Sequence, residues 1–181
     1  MIDIPFETYF EEMPCYVSVQ DKNLKLIAAN RRFRENFGEI EERYCYQVYK
    51  HRPEKCEICP VEQTFHDGNS HHSEEVVTCL AGRDISVLVN TTPIRNEVVE
   101  IEAVMEMSTD VTQLKRLQQQ LQESQQRYRM LFDEVPCFIS IQDRELNVVD
   151  ANRLHRETFG EKYGGKCYQV YKHRSEACMP C

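Results

Sequence analysis

"FEEMPCYVSVQDKNLKLIAANRRFRENFGE", residues Phe10 to Glu39, carries two short apolar runs around a turn, followed by a helical pattern. The runs Cys15–Gln20 and Leu24–Ala29 flank "DKN", the punctuation of a hairpin. Asn30 stands where a helix N-cap belongs, and Gly38 supplies the stop. The same order returns 122 residues later, without a gap, as "FDEVPCFISIQDRELNVVDANRLHRETFGE", Phe132 to Glu161. Between Tyr9–Cys59 and Leu131–Cys181, 27 of 51 positions are identical, a density that marks a duplicated domain.

Working outward, the stretch from Tyr44 to about His66 mixes short helical pieces with breaks at Pro53 and Pro60. Three strand-like runs follow: "SEEVVTCL" (73–80), "DISVLVNTTPI" (84–94) and "VVEIEAVMEM" (98–107), with turns at "AGRD" and "RNE". Two strands, short helices and three more strands predict an α+β domain with one antiparallel sheet. The second copy reaches Cys181 without a counterpart of the last three strands. The expected organisation is a complete domain over 1–112, a helical linker over 113–130 and the N-terminal half of a second domain over 131–181. The chain thus reads as a piece of a longer protein, its half domain exposing apolar surface.

The linker has its own period. Leu114, Leu117, Leu121, Tyr128 and Leu131 advance in alternating steps of three and four, interrupted only by Ser124. The residues between are Gln, Arg, Lys and Glu, and Asp110 is placed to cap the helix start. A single helix docked on its own domain would carry a wider apolar stripe. The narrow seam predicts a parallel two-stranded coil, and so a homodimer through residues 112–131.

Taken together, the strand order, the "AN" that ends the second strand before a helix, and "MEMSTDVTQLKRL" resemble a PAS domain. Asp110, Val111 and Thr112 are similar to the Asp-hydrophobic-Thr motif where a PAS sheet hands over to a signalling helix. Residues 9–112 resemble a whole PAS domain and 131–181 the first half of another. The resemblance implies a five-stranded antiparallel sheet with short helices on one face, enclosing a small-molecule pocket. It also implies tandem placement upstream of an output domain: a histidine kinase first, a diguanylate cyclase or a transcriptional activator next. Ligand, redox or partner signals would pass along the coiled helix, with Asp110, Thr112, Leu114, Leu117 and Leu121 as the relay.

The resemblance does not explain "CYQVYKHRPEKCEIC" (Cys45 to Cys59) and its twin "CYQVYKHRSEACMPC" (Cys167 to Cys181). Each is C-x10-C-x2-C. Two cysteines two residues apart can place both thiolates on one ion, and zinc or an iron–sulfur cluster takes four ligands. Cys45, Cys56 and Cys59 supply three, and the fourth would be Cys15 or His51, with Cys79 a further candidate. In the repeat the set is Cys167, Cys178 and Cys181, with Cys137 or His173. Lys50, Arg52 and Lys55 surround the first segment and would lower the thiol pKa values, which suits metal binding and redox switching equally. Free cysteines also pack as small hydrophobes, so purely structural thiols stand beside both readings.

Composition bounds the rest. The net charge is −8 with no basic stripe, which argues against a nucleic-acid partner. The amino end lacks the pattern of a signal peptide and the longest apolar runs are strand-sized, so no membrane insertion is expected. A cytoplasmic chain with nine cysteines is expected to hold them reduced. His71 and His72 read as residues of a solvated turn, Tyr46, Val48 and Tyr49 as helix packing, and Glu74, Glu75, Glu100 and Glu102 as solvent-facing. No catalytic dyad, triad or phosphate-cradling loop is visible, and C-x2-C lacks the preceding βαβ pattern of a thiol oxidoreductase. The expected function is a non-catalytic sensory input module responding to a ligand, metal or redox state. The alternative is a structural dimerisation module with structural zinc or cysteine sites.

Overall fold

The structure, a computed structural model, describes residues 5–160 and 164–180. It divides into two compact units, Met1–Arg116 and Leu117–Cys181. In order, unit 1 holds helix α1 (Phe6–Glu11), strands β1 (Tyr16–Gln20) and β2 (Leu26–Ala29), and helices α2 (Arg31–Phe37), α3 (Cys45–Lys50) and α4 (Pro60–Asp67). Strands β3 (His71–Thr78), β4 (Asp84–Arg95) and β5 (Ile101–Asp110) complete one antiparallel sheet in the order β2-β1-β5-β4-β3. Helix α5 (Thr112–Glu134) begins in unit 1 and ends in unit 2. Unit 2 continues with β6 (Ser140–Gln142), β7 (Val148–Ala151), α6 (Arg153–Phe159) and α7 (Cys167–Lys172), β6 pairing with β7.

Asn30 ties the hairpin to α2. Its Oδ1 accepts the amides of Val17 (3.0 Å) and Phe33 (3.1 Å), while its Nδ2 donates to the Cys15 carbonyl at 2.9 Å. One buried amide thus caps a helix and fixes the strand before it, the role its sequence position predicts. Asn152 repeats the arrangement in unit 2, accepting from Ile139 and His155 and donating to Cys137. Above the sheet of unit 1, Phe33, Phe37, Tyr49 and Tyr16 form a ring cluster with paired centroids 5.0–5.3 Å apart, edge-to-face except for the tilted Phe33–Phe37 pair. Such pairs add to the area that the rings remove from water.

Several boundaries differ from the sequence reading, each for a local reason. Pro60 does not break a helix: it is the first residue of α4, where its missing amide costs nothing. The last strand starts at Ile101, not Val98, because Asn96 Oδ1 accepts the amides of Val98 and Glu100 and folds those residues into a turn. Cys79 lies just past the end of β3, its amide donating to the Arg83 carbonyl across the hairpin turn. His71 and His72 are the first two residues of β3, opposite Thr91 and Asn90, and are not in a turn. His71 is also paired with Asp67 at 3.0 Å.

Candidate functional site

Sheet alternation sends every second residue of a strand to the helix-covered face. On β1 those residues are Tyr16, Ser18 and Gln20; on β5 they include Val104, Glu106 and Ser108. Register sets Ser18 opposite Glu106, so four polar side chains of two neighbouring strands meet inside the domain. Gln20 Nε2 donates to Ser18 Oγ (2.9 Å) and Glu106 Oε2 (3.2 Å), and Ser108 Oγ donates to Glu106 Oε1 (3.1 Å). Tyr49 of α3 closes the group, its hydroxyl 3.0 Å from Ser18 Oγ.

Glu106 is buried, and burial raises its carboxyl pKa to about 7. Hydrogen bonds from Ser108, Tyr49 and Gln20 pull the other way, and the charge of Glu75 adds to the rise. Desolvation wins because the partners are neutral dipoles and none brings a positive charge. The result is a carboxyl near half-ionisation at neutral pH.

Beside Glu106 lies a small cavity of about 40 Å³ whose wall includes Cys45 and Tyr49 of α3, Cys56, Cys59, and Val77 and Val89 of the sheet. Lys50 and Glu75 line it too, joined by a 2.5 Å ion pair. The structure therefore brings Cys45, Cys56 and Cys59 to one cavity, as their spacing suggested. It does not bring the proposed fourth ligands there. Cys15 is not among the residues lining the cavity, and burial raises its thiol pKa against the charge of Arg32. His51 is exposed and ends α3 in the left-handed conformation (φ 50°), its Nε2 3.3 Å from the Thr78 carbonyl. Among the described residues no three His, Cys, Asp or Glu side chains are gathered as a metal ion requires. The donor set is thus a poor fit to zinc or an iron–sulfur cluster as it stands.

The expectation that neighbouring cations would lower the thiol pKa values is corrected. Burial pushes the Cys45 thiol far up, helped by the charges of Glu106 and the nearby thiols. Burial also raises Cys59, against the helix-start amides of Glu62 and Val61. The cations are occupied or turned away: Lys50 binds Glu75, Lys55 binds Glu62 at 2.7 Å, and Arg52 is exposed. Glu75 is likewise not solvent-facing, since its carboxylate is largely covered beside Lys50.

Unit 2 repeats the β1 and α3 part of the polar group, without counterparts of Glu106 and Ser108 among the described residues, and adds a histidine. Ser140, Gln142 and Tyr171 correspond to Ser18, Gln20 and Tyr49, with Tyr171 OH donating to Ser140 Oγ at 2.5 Å and Gln142 Nε2 to Ser140 Oγ at 3.3 Å. His155 stands where unit 1 has Phe33, its Nε2 2.8 Å from Tyr171 OH. Among the described residues the other ring nitrogen is buried without a hydrogen-bond partner, and burial lowers the imidazole pKa. Cys137 is exposed, Cys167 and Cys178 are half-buried, and His173 ends α7 in the left-handed conformation as its twin does. Cys181 lies outside the described residues.

At the far end of β5 the strand becomes a helix. Asp110 Oδ1 accepts the Thr112 amide at 2.8 Å, as a capping residue should. Val111 N donates to the Ser86 carbonyl and Ser86 N donates to Thr112 Oγ1, both at 2.9 Å. Along α5, Leu114, Leu117, Leu121, Tyr128 and Leu131 are all more than half exposed. No helix among the described residues is long and apolar enough to cross a membrane.

Residues 10–116 match the PAS fold family. The chain belongs to that family. Solved structures share the fold at low identity. An RNA-binding light-oxygen-voltage receptor aligns with a TM-score of 0.54 and 17% identity, over 66% of this chain and 36% of that one. The PAS domain of nitrogen regulation protein NR(II) from Vibrio parahaemolyticus gives 0.49 and 16%, over 60% and 99%. Vibrio cholerae VqmA, described as a LuxR-type receptor whose dimer shifts conformation without its target DNA, gives 0.48 and 16%, over 60% and 53%. The chain spans about half the length of the VqmA chains it matches. No curated protein matches it. PAS domains are typical of sensory signal transduction, and in this PAS domain the cavity beside Glu106 lies between the sheet and α3 and α4.

The sequence reading missed Glu106, Gln20 and Ser18. The available signal was two polar residues at alternate positions of β1 facing "MEMS" of β5, a polar stripe on the face that otherwise carries the core.

Proposed function

We propose that this chain is the sensory input part of a signal-transduction protein, with no catalysis of its own. A small ligand, or a change in the thiols around the cavity, alters the Glu106 group, and β5 carries the change to α5. The observation behind this is that Glu106 and Asp110 sit four residues apart on one strand, one in the cavity wall and the other on the amide of Thr112. Four residues of extended chain span about 13 Å, a short and stiff path. The seam of α5 then meets its copy in a parallel two-stranded coil, whose packing is the bistable element that a sensor needs. Residues 131–181 repeat the opening elements of the same domain, in keeping with a tandem arrangement, and the expected output is of the histidine kinase class.

The relay is tested by amide exchange on the full chain. Glu106→Gln should change protection at the cavity and also at residues 110–116. A change confined to β1, β5 and α3 would remove the relay.

A second reading rests on the burial of Cys45, Cys59 and Cys79 within the hydrophobic core. On that view the thiols are packing residues and α5 a constitutive dimerisation helix. Replacing Cys56 and Cys59 by Ser and Val, with no loss of response to any signal that moves α5, would favour it.

A further inference from the structure

The cavity in unit 1 has a chemical bias that its walls make explicit. Its one carboxylate held by neutral groups is Glu106, bonded by Gln20, Ser108 and Tyr49 and facing no free cation. The titratable and charged groups around it are Cys45, Tyr46, Tyr49 and Lys50 on α3, Cys56 and Cys59 before α4, and Glu75 on β3. Lys50 is the single cationic residue among those lining the cavity, and it is held by Glu75 at 2.5 Å. Cys45 and Cys59 are kept protonated by burial, so they bring no positive charge and little negative. A buried carboxylate without a counter-charge is expensive. A ligand that carries N–H donors and one positive charge relieves that cost.

Size narrows the class. A volume of about 40 Å³ admits roughly three water-sized atoms. Thiol and valine walls at Cys45, Cys59, Val77 and Val89 suit one or two carbons. Resting on the reading of this cavity as the sensory site, the geometry points to ammonium or a small primary alkylammonium ion as its ligand, anchored on Glu106. Neutral and anionic molecules of the same size would lack the charge that the site is missing.

The experiment is a titration of the full chain with methylammonium chloride, followed by the backbone amide resonances of residues around the cavity, with methanol as the neutral probe of equal size. Methylammonium keeps its charge well above neutral pH, as a lysine does. Saturable shifts at pH 8 are expected, with affinity about tenfold weaker at pH 6, where a carboxyl titrating near 7 is about nine-tenths protonated. Glu106→Gln should abolish the shifts; if that variant does not fold, the pH series on the unaltered chain carries the test. Methanol binding as well as methylammonium, or methylammonium binding that ignores pH, overturns the cationic ligand and leaves the cavity as a sensory site. Silence toward both probes overturns the cationic ligand together with the ligand-sensing reading.

Discussion

The hydroxyl of Thr112, the first residue of α5, accepts the backbone amide of Ser86 on β4 at 2.9 Å. The neighbouring Val111 amide donates back to the Ser86 carbonyl, so the helix start is held to β4 by a reciprocal pair of bonds. Lys115, one turn along, reaches Glu74 of β3. The helix is therefore anchored to two strands besides the one it follows in sequence.

Thr112→Val keeps the shape of the side chain and removes that acceptor. The Ser86 amide then loses its partner at a half-covered site, a loss of about 1 kcal/mol. The expected outcome is faster amide exchange at Ser86 and through the first turn of α5, with β1 and β2 unchanged. An unaltered first turn would show that Thr112 does not hold it.

Glu106 makes the stability of unit 1 depend on pH with an unusual sign. Its folded pKa is raised to about 7 from an ordinary carboxyl value of 4.5. Between those values the folded state binds the extra proton, so the contribution is complete below the unfolded pKa and is lost as pH rises through about 7. The shift corresponds to about 3 kcal/mol. Urea unfolding followed by near-ultraviolet circular dichroism should show unit 1 more stable at pH 5 than at pH 8. Glu106→Gln should flatten that slope, while the same slope in the variant would assign it to another group.

How legible was this site? Asn30, Gly38 and the 122-residue repeat announced the hairpin, the helix and the duplication, because each depends on a few neighbouring residues. Glu106 did not announce itself. In "EIEAVMEMSTD" acids alternate with apolar residues, the pattern of a strand with one wet face. Which face is wet is decided by β1, 86 residues away, whose Ser18 and Gln20 turn inward to meet it. The thiols failed in the opposite sense. Their spacing foretold a common location, but basic neighbours in sequence said nothing of burial, and Lys50 and Lys55 found carboxylates elsewhere.

The seam of α5 predicts its own disruption. Leu117→Glu or Leu121→Glu places a charge in a seam that is otherwise exposed and apolar. Sedimentation should show a dimer for the unaltered chain and a shift toward monomer for either variant. A dimer indifferent to both changes would move the interface off the helix.

His155 is a costly choice for a core position, since one ring nitrogen is buried without a partner among the described residues. His155→Phe restores the residue that unit 1 uses at Phe33 and leaves Tyr171 bonded to Ser140. Unit 2 should gain about 1–2 kcal/mol. The lowered imidazole pKa adds a pH dependence: stability falls as pH drops below about 6.5, where the unfolded histidine takes up a proton that the folded one resists. Thermal melts at pH 7.5 and 5.5 should show the variant more stable at both, with a smaller difference between them. A destabilised variant at pH 7.5 would mean that the bond to Tyr171 outweighs the orphaned nitrogen.

The depth of Cys45 and Cys59 turns the domain into its own stopwatch. A thiol that is covered and held protonated reacts with an electrophile only in the moments when its shelter opens, whereas Cys137 stands at the surface. The lag between the labelling of Cys137 and of Cys45 therefore measures how often the helical side of unit 1 breathes. Any molecule that settles beside Glu106 should lengthen that lag, whether or not its identity is known.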